Sequence, residues 1–213
     1  MPVTTQVKIC GLSTPDTLDA AIAHGASHVG FVFFARSPRN LTPERAAGLA
    51  SRVPGRVARV GVFVDPDDAL LDAAIAAIDI VQLHGSETPV RLTEIRARWG
   101  KPVWRAAGVA SAADIRAASL TAHGAALLLL DAKAPSSAPL PGGNGLRFDW
   151  RVLGGARPGM AWGLSGGLDA DNVGEAIRIA GPGLVDVSSG VEDAPGVKSV
   201  AKIRAFLETV RTI

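Results

Sequence analysis

The single cysteine of this 213-residue chain and one aspartate far from it in sequence are the first candidates for chemistry. Cys10 ends the apolar run Val7 to Cys10, and Asp131 ends the run Ala126 to Asp131. Taken alone, Cys10 reads as a small buried hydrophobe, and Asp131 as a helix cap or a partner for Lys133. Together, at the ends of two strands, a thiol and a carboxyl read as a general base and a general acid. Side chains alternate between the two faces of a strand. If Val7 and Ile9 face a helical layer, Lys8 and Cys10 face the other way; the same parity sets Leu127, Leu129 and Asp131 against Leu128 and Leu130. A free thiol is only a few per cent ionised at neutral pH, so Cys10 needs a nearby cation or amide dipoles, and Lys8 is the closest candidate in sequence. Asp131 has the opposite need: its carboxyl must rise by roughly two to three units to hold a useful proton.

Other polar residues fall at similar places. Ser165-Gly166-Gly167 and Ser188-Ser189-Gly190 follow two later apolar runs, where small residues expose backbone amides and hydroxyls to an anion. Arg36 and Arg39 lie in the loop Ala35 to Asn40, and a guanidinium fork there suits a carboxylate. Gln82 and His84 share the parity opposite to Val81 and Leu83, so they line a wet pocket or satisfy each other. His24, His28 and His123 fall near helix ends or strand starts, away from this chemistry. No His, Cys and acid cluster has metal-ligand spacing, so no metal is expected.

What must position these residues is an alternation of short Val, Ile, Leu and Phe runs with longer Ala-rich stretches of helical period. Strands are predicted over Val7–Cys10, His28–Phe33, Arg59–Val64, Ile80–Leu83, Val103–Ala106, Ala126–Asp131, Met160–Leu164 and Leu184–Val187. Helices are predicted over Thr14–Ala23, Pro43–Arg52, Asp67–Ala77, Val90–Trp99, Ala112–Ala118, Ala170–Ala180 and Val197–Arg211. Ser13, Thr42 and Asp65 are read as helix caps, with Pro15, Pro43 and Pro66 in the first turns. The stretch Ala134 to Gly145, rich in Pro, Ser and Gly, reads as a long mobile loop, and a short helical turn is expected near Trp150. Strand and helix alternation demands parallel neighbours. Eight units and no Gly-x-Gly-x-x-Gly after the first strand favour a TIM (β/α)8 barrel over an open doubly wound sheet, with residues 1–213 forming a single domain. In that fold, chemistry gathers at the carboxyl ends of the strands, and the loops after strands seven and eight hold phosphate.

Composition narrows the function class. The chain is 47% hydrophobic with 22 basic against 20 acidic residues, so its net charge of +2 gives no reason to expect nucleic acid or an anionic membrane. No apolar run is long enough to span a bilayer, and the start lacks the pattern of a secretory leader. One cysteine cannot form an internal disulfide, and the chain reads as cytoplasmic. Monomer and homodimer are both compatible with the residue pattern.

The chain resembles the phosphoribosylanthranilate isomerase family along its whole length. The resemblance rests on Val7-Lys8-Ile9-Cys10-Gly11, Ser37-Pro38-Arg39, Val81-Gln82-Leu83-His84-Gly85, Leu129-Leu130-Asp131, Phe148-Asp149-Trp150, Leu164-Ser165-Gly166-Gly167-Leu168 and Asp186-Val187-Ser188-Ser189-Gly190-Val191-Glu192, in order. It implies an Amadori rearrangement of N-(5-phosphoribosyl)anthranilate in tryptophan biosynthesis, with no cofactor. It also implies that Asp131 is the acid, Cys10 the base and Arg39 the carboxylate ligand, with Gly166, Gly167, Ser188 and Ser189 around the phosphate. The chain departs from the family pattern at Asn144, where Thr or Ser is usual, and at Ser199, where an aspartate commonly stands. Two other readings stay open: another phosphosugar isomerase, for which an aspartate is expected in place of Cys10, and a phosphosugar-binding barrel without turnover.

Overall fold

The computed structural model describes residues 5–135, 140, 142–143 and 145–213. Eight parallel strands hydrogen-bond in sequence order and close on themselves: β1 (Gln6–Cys10), β2 (His28–Phe33), β3 (Ala58–Phe63), β4 (Ile80–Leu83), β5 (Val103–Val109), β6 (Leu127–Ala132), β7 (Trp162–Leu164) and β8 (Leu184–Val187). Closure sets Lys8 of β1 opposite Asp186 of β8, and Cys10 opposite Gly30 of β2. Around the barrel lie α1 (Pro15–Ala23), α2 (Pro43–Ala50), α3 (Asp68–Ala74), α4 (Pro89–Trp99), α5 (Ala112–Thr121), α6 (Val173–Ala180) and α7 (Val200–Arg211). Between β6 and β7 a 3-10 turn, Trp150–Gly154, stands where a helix would complete the repeat. No helix among the described residues is long and apolar enough to cross a membrane.

The alternation read from the sequence divides the core into two layers. Val7, Ile9, Leu128 and Leu130 pack outward with helix residues such as Leu18, Leu92 and Phe206. Inside the barrel, Val60, Ile80, Trp104, Ala106, Leu129 and Leu184 form a separate apolar plug. Above it, Cys10, Val32 and Val62 form a third small group.

Thr42, Asp67, Thr88 and Ser111 each accept a backbone N–H from three residues on, satisfying an otherwise orphaned donor at a helix start. Two expected caps are corrected. Thr14 rather than Ser13 precedes α1, its hydroxyl 2.7 Å from that of Thr17. Asp65 lies two residues too early to cap α3; at φ +46° it accepts instead from the backbone N–H and hydroxyl of Ser86, tying the loops after β3 and β4 together. Pro66 therefore precedes the helix. The last helix begins at Val200, not Val197, because β10 (Val197–Lys198) pairs antiparallel with β9 (Glu192–Ala194). Much of the connection expected to be mobile, including Asn144, lies outside the described residues.

Candidate active site

The carboxyl ends of the strands surround a cleft. Cys10, Arg39, Gln82, His84, Asp131, Gly166, Gly167, Ser188 and Ser189 all line it. Val32, Phe34, Val62 and Val64 give one apolar wall. Arg36, the other arginine of its loop, is exposed and lies over the Phe34 ring at 5.1 Å. Among the described residues no group of His, Cys, Asp and Glu side chains could hold a metal ion.

Asp131 is buried to 4% exposure at the end of β6. Lys133, its simplest partner from the sequence, pairs instead with Asp114 at 2.8 Å. Burial pushes the Asp131 carboxyl up, the Ala132 N–H that donates to Oδ1 at 2.8 Å pulls it down, and Asp186 pushes it up again. The balance lies at about 7, which suits a group that must hold and release a proton at neutral pH. His84 Nε2 stands 3.4 Å from Asp131 Oδ2 and has no hydrogen-bond partner among the described residues. Burial, with Lys8 and Arg105 nearby, lowers His84 to about 4, so this contact joins a neutral imidazole to the acid. Gly142 closes over the pair: a Cβ there would come within 2.4 Å of both Asp131 Oδ2 and His84 Cε1.

Cys10 is buried to 8% exposure. Burial pushes its thiol up, Lys8 pulls it down and Asp186 pushes it up, leaving it above the usual thiol range. Lys8, the cation nearest in sequence, does lower the thiol, but by less than burial raises it. Lys8 is fully buried, and its Nζ donates to both Asp186 carboxylate oxygens at 3.0 Å, so its charge is shared with an acid. Gln82, 1% exposed, leaves its Oε1 without a partner among the described residues.

The loops after β7 and β8 have the form an anion requires. Gly166, at φ +90°, tolerates no side chain, since a Cβ would lie 2.5 Å from the Ala132 nitrogen. The backbone N–H groups of Gly166, Gly167 and Ser189 donate no hydrogen bond among the described residues. Ser188 Oγ donates to the Cys10 carbonyl at 3.3 Å and accepts from Lys198 Nζ at 3.2 Å.

A family model described as N-(5'phosphoribosyl)anthranilate (PRA) isomerase matches residues 7–209. The chain belongs to this family. It is 53% identical over 213 residues to the N-(5'-phosphoribosyl)anthranilate isomerase of Paramagnetospirillum magneticum, covering 99% of this chain and 98% of that one. Its fold matches the crystal structure of phosphoribosyl anthranilate isomerase from Thermotoga maritima with a TM-score of 0.87 at 35% identity, covering 98% and 100% of the two chains. It matches equally a solved phosphoribosyl anthranilate isomerase in complex with reduced 1-(o-carboxyphenylamino)-1-deoxyribulose 5-phosphate, at TM-score 0.85, 34% identity and the same coverage. The chain is thus an enzyme of the isomerase class with the barrel of its family.

Among this family member's cleft residues, sequence reasoning gave no role to Asp186, and beyond the cleft walls it overlooked Glu192 and Lys198. Asp186 carried a usable signal: it is a charge at lumen parity between Val185 and Val187. Glu192 stood at the end of a family-like motif without a role, and Lys198 carried no signal, because a three-residue strand paired with a two-residue one has no period to detect.

Proposed function

We propose that this chain converts N-(5-phosphoribosyl)anthranilate to 1-(2-carboxyphenylamino)-1-deoxyribulose 5-phosphate in tryptophan biosynthesis, by acid and base catalysis. The observation that carries the reading is that Cys10 and a buried Asp131, its carboxyl near 7, line one cleft beside two loops whose amides donate no hydrogen bond among the described residues. Asp131 gives its proton to the furanose oxygen as the ring C1–O bond breaks, and the anilino nitrogen lone pair forms the Schiff base. Cys10 then takes the proton from sugar C2, and the C–H electron pair neutralises the iminium to give the enolamine. Loss of the enol O–H proton and protonation at C1 complete the ketone. Only protons move in or out, so no cofactor enters the balance. Arg39 holds the anthranilate carboxylate, Gly166, Gly167, Ser188 and Ser189 hold the phosphate, and Gln82 and His84 contact the sugar. The thiol must stay reduced to act as a base, which a cytoplasmic location secures.

With Asp131 near 7 and the thiol higher, the ready form, protonated acid with thiolate base, is a minority at every pH. The profile of kcat/KM is then bell-shaped, with an acid-side limb near pH 7 set by Asp131 and an alkaline limb set by Cys10. The test is turnover followed by loss of the anthranilate-adduct fluorescence, with complementation of strains lacking the tryptophan or the histidine pathway. Rescue of the tryptophan strain is the expected result; binding without turnover by the folded protein, or rescue of the histidine strain alone, overturns the reading.

A further inference from the structure

Arg39, which lines the cleft, belongs to a buried cluster of three charges with Glu192 and Lys198. Glu192, on β9, has a carboxylate 4% exposed that accepts four hydrogen bonds. Its Oε1 takes Arg39 Nε at 2.7 Å and Lys198 Nζ at 2.7 Å; its Oε2 takes Arg39 Nη2 at 2.8 Å and the Gly196 N–H at 3.2 Å. One carboxylate thus pins two cations from separate elements, and the cluster keeps a single positive charge.

The two cations are used differently. Lys198 is saturated, since its Nζ also donates to the Ser188 carbonyl at 2.8 Å and to Ser188 Oγ at 3.2 Å. A trans peptide sets its carbonyl and the following N–H in opposite directions. Holding the Ser188 carbonyl therefore aims the Ser189 N–H away from Lys198. Arg39, which lines the cleft, is not saturated: Nε and Nη2 are bound to Glu192 and Nη2 also donates to the Gly143 carbonyl at 3.4 Å, while Nη1 has no hydrogen-bond partner among the described residues. The fork is fixed along one edge and open at the other.

We propose that Glu192 is a positioning residue that aligns both charged ends of the substrate at once. It holds Arg39 so that Nη1 meets the carboxylate, and through Lys198 it holds the Ser188–Ser189 peptide for the phosphate. This rests on the reaction proposed above. A flexible arginine would lose rotamer freedom on binding; one pinned bidentately has already lost it, so the carboxylate gains more affinity.

The test compares two ligands on the full chain: the reduced product analogue, and the same molecule without its ring carboxylate. In the parent the carboxylate raises affinity strongly. In Glu192→Gln that increment falls at least tenfold, KM for the anthranilate substrate rises, and kcat changes less than KM. Lys198→Met, which leaves Arg39 paired, keeps the carboxylate increment and weakens inorganic phosphate as a competitive inhibitor. Glu192→Asp, which retains the charge, recovers part of the increment. Equal weakening of both ligands by Glu192→Gln, or no change, overturns the proposal. If Glu192→Gln does not fold, unchanged phosphate inhibition in Lys198→Met overturns it. A parent protein that does not distinguish the two ligands would instead sink the substrate assignment itself.

Discussion

The two halves of the barrel interior use the same strands and the same inward parity for opposite ends. In the lower half, Val60, Ile80, Trp104, Ala106, Leu129 and Leu184 form one buried apolar cluster. In the upper half, Lys8, Cys10, Gln82, Asp131 and Asp186 occupy equivalent inward positions, all less than a tenth exposed. Leu129 and Asp131 are two residues apart on one strand. The first contributes cohesion; the second is kept in an environment that resists its charge. Burial is thus a source of stability in one half and of altered acidity in the other.

Breaking the upper half first gives the largest effects. Cys10→Ala and Asp131→Asn are each expected to lower kcat by about a hundred- to ten-thousand-fold while the reduced product analogue still binds; steady-state turnover and calorimetry check both. Wild-type turnover in either variant would reassign the acid and base. In the lower half, Leu129→Ala is expected to cost about 2–5 kcal/mol of stability with kcat per folded molecule unchanged, measured by denaturant titration. Interchange of those two outcomes would erase the contrast.

A subtler test uses one residue for both quantities. The Asp131 carboxyl stands near 7 in the fold against 3.8 when free, so the folded state binds the proton more tightly and loses stability as pH rises through that window. Asp131→Asn removes this cost. The variant should match the parent below pH 4 and exceed it above pH 7 by a margin on the order of 4 kcal/mol, at about 1.36 kcal/mol per unit. A stability difference independent of pH would contradict the assigned acidity.

The thiol can be titrated directly. The chain has one cysteine and no tyrosine, so far-ultraviolet thiolate absorbance reports Cys10 without phenolate interference. Its midpoint is expected above the usual thiol range, and a midpoint below neutrality would show that Lys8 outweighs burial after all. The smallest effect belongs to Arg36→Ala. That residue is exposed and off the cleft, so KM and stability should both stay within about 0.5 kcal/mol of the parent, in contrast to its neighbour Arg39.

Much of this contrast could be read from the chain. Period-two alternation marks Val7 and Ile9 as outward and Cys10 as inward, and repeated strand and helix units leave few arrangements other than a closed barrel. Terminal glycines and serines after the last two strands are visible for the same reason: local backbone demands select those residue types. What depends on partners far away in sequence was not legible. Nothing near Lys8 announces Asp186, 178 residues later, so the thiol's net shift could not be signed. The start of α3 slipped because Asp65 and Asp67 are equally good caps by type, and only the third dimension gives Asp65 to Ser86. Glu192 was quoted in a motif but had no role until Arg39 and Lys198 were seen to converge on it.

The Lys8 and Asp186 pair joins the first strand to the last, directly under the thiol. A nascent chain therefore carries Cys10 from the outset yet cannot set the surroundings of that thiol until the eighth strand arrives. Fragments that stop before β8 would leave a buried ammonium without its counter-charge at the open seam. In this molecule the strand pairing that closes the ring also supplies the carboxylate that shares the charge beside the thiol.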